Sequence, residues 1–175
     1  LVVFLPLIGW LLWLAAKEDA GRGWWFTPLM FLIGLAVWTP SEYILHRFVF
    51  HFKPRNPSPF IDRVSFLMHG IHHAEPHEKT RLVMPPVVSL PLSAIFYLAF
   101  RLIAGTAAFA IFAGFLTGYV IYDMMHYALH HLPYQGKTFK MLRKLHALHH
   151  HKTPEQRFGV SMMFWDKVFG TLPAD

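Results

Sequence analysis

Four apolar stretches constrain this chain more than any other feature of its sequence. Each approaches or reaches the roughly 20 residues that a helix needs to cross the hydrocarbon core of a bilayer. They cover about residues 1–16, 24–45, 87–103 and 104–125. The first could instead be a secretory signal peptide, but it has no basic start and no small-residue cleavage site. We therefore predict an all-α, multi-pass integral membrane protein with about four transmembrane helices.

Two long polar segments, residues 46–81 and 126–175, hold thirteen of the sixteen Lys and Arg residues. Positive residues are retained on the cytoplasmic side of a membrane, so both segments are predicted to form a cytoplasmic helical cap on a single domain covering residues 1–175. This topology, with contact to anionic headgroups, explains the net charge of +6. We expect no nucleic-acid partner, because no soluble fold is left to bind one.

Histidines at helical spacing mark both polar segments. The motif His-x-x-His-His occurs as "HGIHH" at 69–73 and as "HALHH" at 146–150. Residues three and four apart share a helix face, so the three histidines of each motif can converge on one point. "HYALHH" adds a pair four apart. "HRFVFH" adds a pair five apart, so either the helix ends between them or they serve different metals. The candidate metal ligands are His46, His51, His69, His72, His73, His126, His130, His146, His149 and His150.

Two carboxylates lie one helical turn before candidate ligands. Asp123 precedes His126 and Glu42 precedes His46. A carboxylate there can accept the second ring N–H of a ligand histidine and fix its orientation. The alternative for each is an ordinary polar contact near a helix end.

The ten candidate histidines suit two metal ions with about four or five ligands each, since a structural zinc site closes with four. The chain has no cysteine, which excludes thiolate ligands and disulfides. Neutral imidazole binds iron, zinc and copper alike. Two irons can jointly reduce dioxygen and produce an oxidant that attacks an unactivated C–H bond, whereas zinc could fill the site during purification. At the mouth of an apolar helical bundle, that oxidant implies a lipid substrate.

Three further histidines are not assigned as ligands. His77 has no partner at helical spacing and is expected to be an ordinary polar residue. His131 and His151 are extra members of their clusters, and the pattern leaves their roles open.

The histidine series resembles that of the fatty acid hydroxylase and sterol desaturase superfamily of membrane diiron oxygenases. The strings "FLMHGIHH", "RLVMPP", "GYVIYDMMHYALHH" and "FGVSMMFWDKVFGTL" resemble the fatty acid 2-hydroxylase branch, over about residues 40–173. This resemblance implies two Fe ions, O2 as co-substrate and 2-hydroxylation of a long-chain fatty acyl group, free or in a sphingolipid or ceramide. Eukaryotic members often carry a cytochrome b5 domain, whose His-Pro-Gly-Gly is absent from this sequence. We therefore expect a separate cytochrome b5- or ferredoxin-type electron donor.

Other functions remain alternatives. Sterol desaturases and carotenoid ring hydroxylases share the histidine series and differ mainly in the local strings. A histidine-rich metal transporter should place its ligands near the bilayer middle, and a di-haem cytochrome should pair histidines across helices inside the bilayer. The histidines of this chain lie at the edges of its apolar stretches, which favours the oxygenase.

Overall fold

The computed structural model describes residues 2–53, 55–56, 58–82 and 84–173, and every regular element in these ranges is helical. Their α-helices are α1 (Phe4–Glu18), α2 (Phe26–Ile44), α3 (Pro59–Ser65), α4 (Ile71–Ala74), α5 (Pro86–Ala104), α6 (Ala108–His131), α7 (Lys137–His151) and α8 (Phe164–Val168). Two π-helical turns (Leu45–Phe50 and Phe66–Gly70) and two 3-10 turns (Lys79–Arg81 and Gly105–Ala107) lie between them. The all-α prediction is confirmed.

Two helical stretches are long and apolar enough to cross a membrane, Phe26–Phe50 and Pro86–His131. Only 6% of the most apolar window of the second stretch is buried, whereas a core helix of a soluble protein would be mostly buried. On α5, for example, Leu102 and Ile103 are 88% and 84% exposed. Apolar surface of this extent marks contact with lipid or with other protein, and together with the two long apolar stretches it indicates a membrane protein. The four-crossing arrangement stays a prediction.

The chain divides into two compact units. The first comprises Leu1–Pro40 and Pro85–Ile121, and the second comprises Ser41–Met84 and Tyr122–Asp175. All thirteen histidines of the sequence fall in the second unit. The second unit therefore contains every candidate ligand, and the first supplies apolar helices.

Glycines allow α2 and α6 to pack backbone against backbone in the first unit. A Cβ on Gly34 would lie 1.8 Å from the carbonyl oxygen of Ile111, and one on Gly114 would lie 1.9 Å from that of Phe31. Small residues at such crossings are typical of helix pairs in membranes, where close van der Waals contact drives association. Gly34 and Gly114 thus allow α2 and α6 to approach each other closely.

Replacing Gly114 by Leu should therefore destabilise the protein, because the new side chain has no space against Phe31. Overpacking of this kind costs about 1–3 kcal/mol, and thermal unfolding in detergent would measure it. Gly9→Leu is the matched control, because a Cβ added to Gly9 on α1 would meet nothing within 4 Å among the described residues. Equal melting temperatures for the two variants would contradict the packing described here.

Candidate metal centre

Two groups of five histidines form a candidate dimetal centre in the second unit. Within each group, one ring nitrogen of every member lies within 4.8 Å of the corresponding nitrogens of the others. Group A consists of His46, His51, His69, His73 and His149. Group B consists of His72, His126, His130, His146 and His150. The structure thus brings together all ten candidate residues, five to a group.

A π-turn accounts for the five-residue spacing of His46 and His51. The chain continues past α2 as the π-turn Leu45–Phe50, and the N–H of His51 donates to the carbonyl oxygen of His46 at 3.1 Å. Because a π-turn joins residues five apart, it carries both rings to the same side. The helix does end between the two histidines, at Phe50, and both belong to group A.

The His-x-x-His-His motifs do not converge on one point each, and that prediction is wrong. His69 and His73 belong to group A, while His72 between them belongs to group B. The second motif is reversed, since His149 joins group A and its neighbours join group B. Successive residues of a helix are about 100° apart, so the first and fifth positions of the motif differ by only about 40°. The fourth position faces elsewhere, and each motif therefore serves both groups.

The Nε2 atoms are the nitrogens that meet. In group A, Nε2 of His69 lies 3.1 Å from Nε2 of both His46 and His73. In group B, Nε2 of His126 lies 2.9 Å from Nε2 of His72. Nitrogens bound to one metal ion at about 2.0–2.1 Å stand about 3 Å apart in compact coordination geometries. The donor sets therefore fit one metal ion in each group.

Two backbone carbonyls determine the tautomers of two group A histidines. Nδ1 of His46 lies 2.5 Å from the carbonyl oxygen of Phe158, and Nδ1 of His149 lies 2.7 Å from that of Gln156. A carbonyl oxygen can only accept, so each Nδ1 carries the proton and donates it. Each Nε2 is left with a lone pair directed into group A, which is the form that binds a metal.

Glu42 supports this arrangement in a different way from the one predicted. The hydrogen bond that Glu42 was predicted to accept from His46 goes to the carbonyl oxygen of Phe158. Instead, Oε1 of Glu42 accepts the backbone N–H groups of Val160 and Ser161, both at 2.9 Å. Glu42 therefore holds the segment that presents the Phe158 carbonyl. Sequence reasoning did not predict that this segment contacts the histidines, since backbone carbonyls leave no signal in residue types.

The hydrogen bond predicted from the second ring nitrogen of His126 to Asp123 is also not made. Within the part of the chain that the structure describes, Nδ1 of His126 has no hydrogen-bond partner. The same is true of the buried Nδ1 atoms of His72, His146 and His150. Groups A and B thus differ, since carbonyls hold two rings of the first, and four buried rings of the second have no such support.

Burial keeps the histidines neutral. Desolvation, followed by repulsion from neighbouring histidines, lowers the pKa of His51 to about 3 and that of His73 to about 4. For His149, burial outweighs the hydrogen bond to Gln156 and lowers the pKa to about 4. Neutral imidazole is the ligand form, so these side chains are competent to bind a metal at neutral pH.

Two cavities lead to the groups. One of about 410 Å³ is lined by the aromatic side chains of Phe50, Phe52 and Phe66 and reaches histidines of both groups. The other, of about 330 Å³, reaches group B. The histidines outside the two groups, His77, His131 and His151, all line this second cavity.

The sequence profile of the family described as "Fatty acid hydroxylase" matches residues 31–171. The chain belongs to the fatty acid hydroxylase family. The resemblance drawn from its histidine series and local strings is thereby confirmed. The family match covers the histidines of both groups and both carbonyls that orient group A.

Named relatives of the family are similar along much of this chain. The rat "Fatty acid 2-hydroxylase" is 43% identical over 145 residues, which cover 82% of this chain and 39% of the rat protein. The "Ceramide very long chain fatty acid hydroxylase SCS7" of Saccharomyces cerevisiae is 44% identical, over 97% of this chain and 44% of the yeast protein. The "Dihydroceramide fatty acyl 2-hydroxylase FAH2" of Arabidopsis thaliana is 38% identical, over 98% of this chain and 71% of its own length.

A solved structure shares the fold. It is titled "Full length scs7p (only hydroxylase domain visible)" and superposes with a TM-score of 0.90 at 42% identity, over 99% of this chain and 65% of the other. The chain spans about two fifths of the length of the mammalian family members that it matches.

The depressed histidine pKa values predict a pH dependence of the metal-free protein. Unfolded histidines bind a proton near pH 6.5, whereas folded His51, His73 and His149 do so only at about 3 to 4. Between these values the unfolded state binds more protons, so stability rises with pH.

The melting temperature of chelator-stripped protein should therefore fall as the pH is lowered from 7.5 to 5, and His73→Ala should flatten the slope. A melting temperature that is constant across this range would contradict the burial of neutral rings.

Proposed function

We propose that groups A and B each bind one iron ion and that the chain catalyses the O2-dependent 2-hydroxylation of a long-chain fatty acyl group, free or in a sphingolipid. The observation that carries this proposal is the convergence of ten ring nitrogens in two groups of five. The names of the relatives support the choice of the 2-position. When bound, the iron pair would use dioxygen and two electrons to oxidise the C–H bond beside the carbonyl.

The balance of the reaction defines what the chain must bring together. One oxygen atom of O2 is inserted into the C–H bond. The other oxygen atom takes up two protons and two electrons and leaves as water. The electrons would come from a cytochrome b5- or ferredoxin-type donor. The histidines act as ligands and not as proton carriers. Burial lowers the pKa of His51 and His73, so both rings are neutral at pH 7.

An apolar substrate needs an apolar approach to the groups. The phenylalanine-lined cavity offers one, because its wall also contains His69 and His73 of group A and His150 of group B. Phe52 and Phe66 are about half exposed, so an acyl chain could contact them before it reaches the histidines. This opening is therefore our candidate for the acyl-chain approach.

We also propose four membrane crossings with the cap segments in the cytoplasm. Helices α1, α2, α5 and α6 occupy the four apolar stretches of the sequence. The 46-residue stretch Pro86–His131 is long enough for two crossings, and Gly105 between them has a φ of 56°, a conformation that favours glycine and permits a reversal. The excess of Lys and Arg in the cap segments supports the cytoplasmic side.

The activity is tested by expressing the chain with a reductase system and supplying long-chain fatty acid or ceramide under labelled dioxygen. The product should be the 2-hydroxy acyl compound with one labelled oxygen atom, as measured by mass spectrometry. A hydroxyl or double bond found only on a sterol or carotenoid ring would contradict the proposal and support the other branches of the superfamily.

Histidine variants in the same assay distinguish members of the two groups from a histidine outside them. His72→Ala or His130→Ala should abolish activity, because each removes a group B nitrogen. His77→Ala is the matched control and should retain activity, since His77 lies outside both groups. An inactive but well-expressed His77 variant would count against the ten-ligand assignment.

The topology can be tested with single cysteines, because the native chain has none. Cysteines at Ser58 and Thr153 should resist an impermeant thiol reagent applied from outside, whereas one at Gly21 should react. Labelling at Ser58 from outside the cell would overturn the proposed orientation.

A further inference from the structure

Residues 156–161, here called the carbonyl loop, form hydrogen bonds with histidines of group A. Both histidines that the loop holds, His46 and His149, belong to group A, and their ring centroids are 4.8 Å apart. The two carbonyls come from Gln156 and Phe158, which flank a single residue. The loop thus orients two neighbouring ligands of one group.

The residue between the two carbonyls has a strained backbone. Arg157 has a φ of 60°, a left-handed conformation that is uncommon for a residue with a side chain. Its N–H donates to the carbonyl oxygen of Thr171 at 3.0 Å, and its guanidinium donates to Thr153 at 2.6 Å. Strain of this kind persists only where surrounding contacts determine it. These contacts fix the directions of the carbonyls on either side.

Asp166 holds the same loop from within. Its carboxylate is fully buried and accepts the N–H groups of Phe158 at 2.8 Å and Gly159 at 2.7 Å. The hydroxyl of Thr171 donates to it at 2.7 Å. Burial raises the pKa of Asp166, and these three hydrogen bonds oppose that rise. Within the described residues, the Asp166 carboxylate bonds the backbone of the loop and the Thr171 hydroxyl, not the rings of His46 or His149.

Close packing fixes the loop at Gly159. A Cβ at this position would lie 2.0 Å from the carbonyl oxygen of Met162 and 2.7 Å from Oδ2 of Asp166. On the other side, the Glu42 carboxylate accepts the next two backbone N–H groups. Two buried carboxylates, Glu42 and Asp166, therefore clamp the four residues 158–161.

We propose that the carbonyl loop makes group A the tighter of two metal sites, with Glu42 and Asp166 as the positioning residues. This inference rests on the proposed dimetal function. A hydrogen bond to the second ring nitrogen orients a ligand and raises its basicity, and loss of such a partner typically lowers metal affinity about 10–100-fold. Group B has four buried Nδ1 atoms without a protein partner in the described residues. Its ion should exchange more readily.

Cobalt binding to the metal-free, full chain tests the inference without any activity measurement. Visible absorption and bound cobalt should rise in two phases, one ion per chain in each, with affinities that differ about 10-fold or more. His46→Ala should remove the tight phase, and His126→Ala should remove the weak phase. Two equal affinities, or loss of the tight phase in His126→Ala, would overturn the inference.

Variants of the clamp test the positioning role. Asp166→Asn should weaken the tight phase about 10-fold or more and leave the weak phase unchanged. Gly159→Ala, which displaces the loop without changing charge, should act in the same direction. Asp62→Asn is the matched control, because Asp62 is exposed on α3 and remote in sequence from the loop. Equal weakening of both phases would indicate a general loss of structure and contradict the positioning role.

The wild-type titration keeps the test decisive if Asp166→Asn fails to fold. Uptake of no cobalt by the wild-type chain would contradict the dimetal proposal itself. Uptake of two ions in a single phase would contradict only the inequality of the two groups. The two failures are therefore distinguishable in one experiment.

Discussion

The second unit depends on the packing of ten imidazole rings whose Nε2 atoms converge. Nitrogens 2.9 to 3.1 Å apart cannot all be satisfied by one another, since a neutral histidine has one donor and one acceptor nitrogen. Two of the rings already use their donors on carbonyl oxygens. An ion that accepts lone pairs resolves this conflict, and burial keeps the rings in the neutral form that supplies them.

Helix geometry distributes these rings between the two groups. Pairs four apart, such as His126 and His130, stay together on an α-helix, and the π-turn extends the same principle to His46 and His51. π-turns are rare and concentrate at functional sites. The fourth positions of the two His-x-x-His-His motifs, His72 and His149, cross to the opposite group. Each motif therefore supplies histidines to both groups.

Residue types and spacing were sufficient to predict the all-α fold, the apolar helices and the ten histidines that meet. They were insufficient for the division into groups, because adjacent helices decide which face of a motif meets which partner. The spacing of His46 and His51 left two alternatives open, because residue types do not reveal that the backbone changes to a π-turn before His51. The carbonyls of Gln156 and Phe158 could not be foreseen, since every residue has a carbonyl. Glu42 was expected to bond a ligand histidine and instead bonds a loop near the ligands. A carboxylate one helical turn from a ligand can make either contact.

X-ray absorption at the iron edge of metal-loaded protein would test the central claim most directly. The account predicts a first shell dominated by nitrogen, with the outer-shell scattering of about five imidazole rings per iron. A first shell dominated by oxygen, or fewer than three imidazoles per iron, would contradict it.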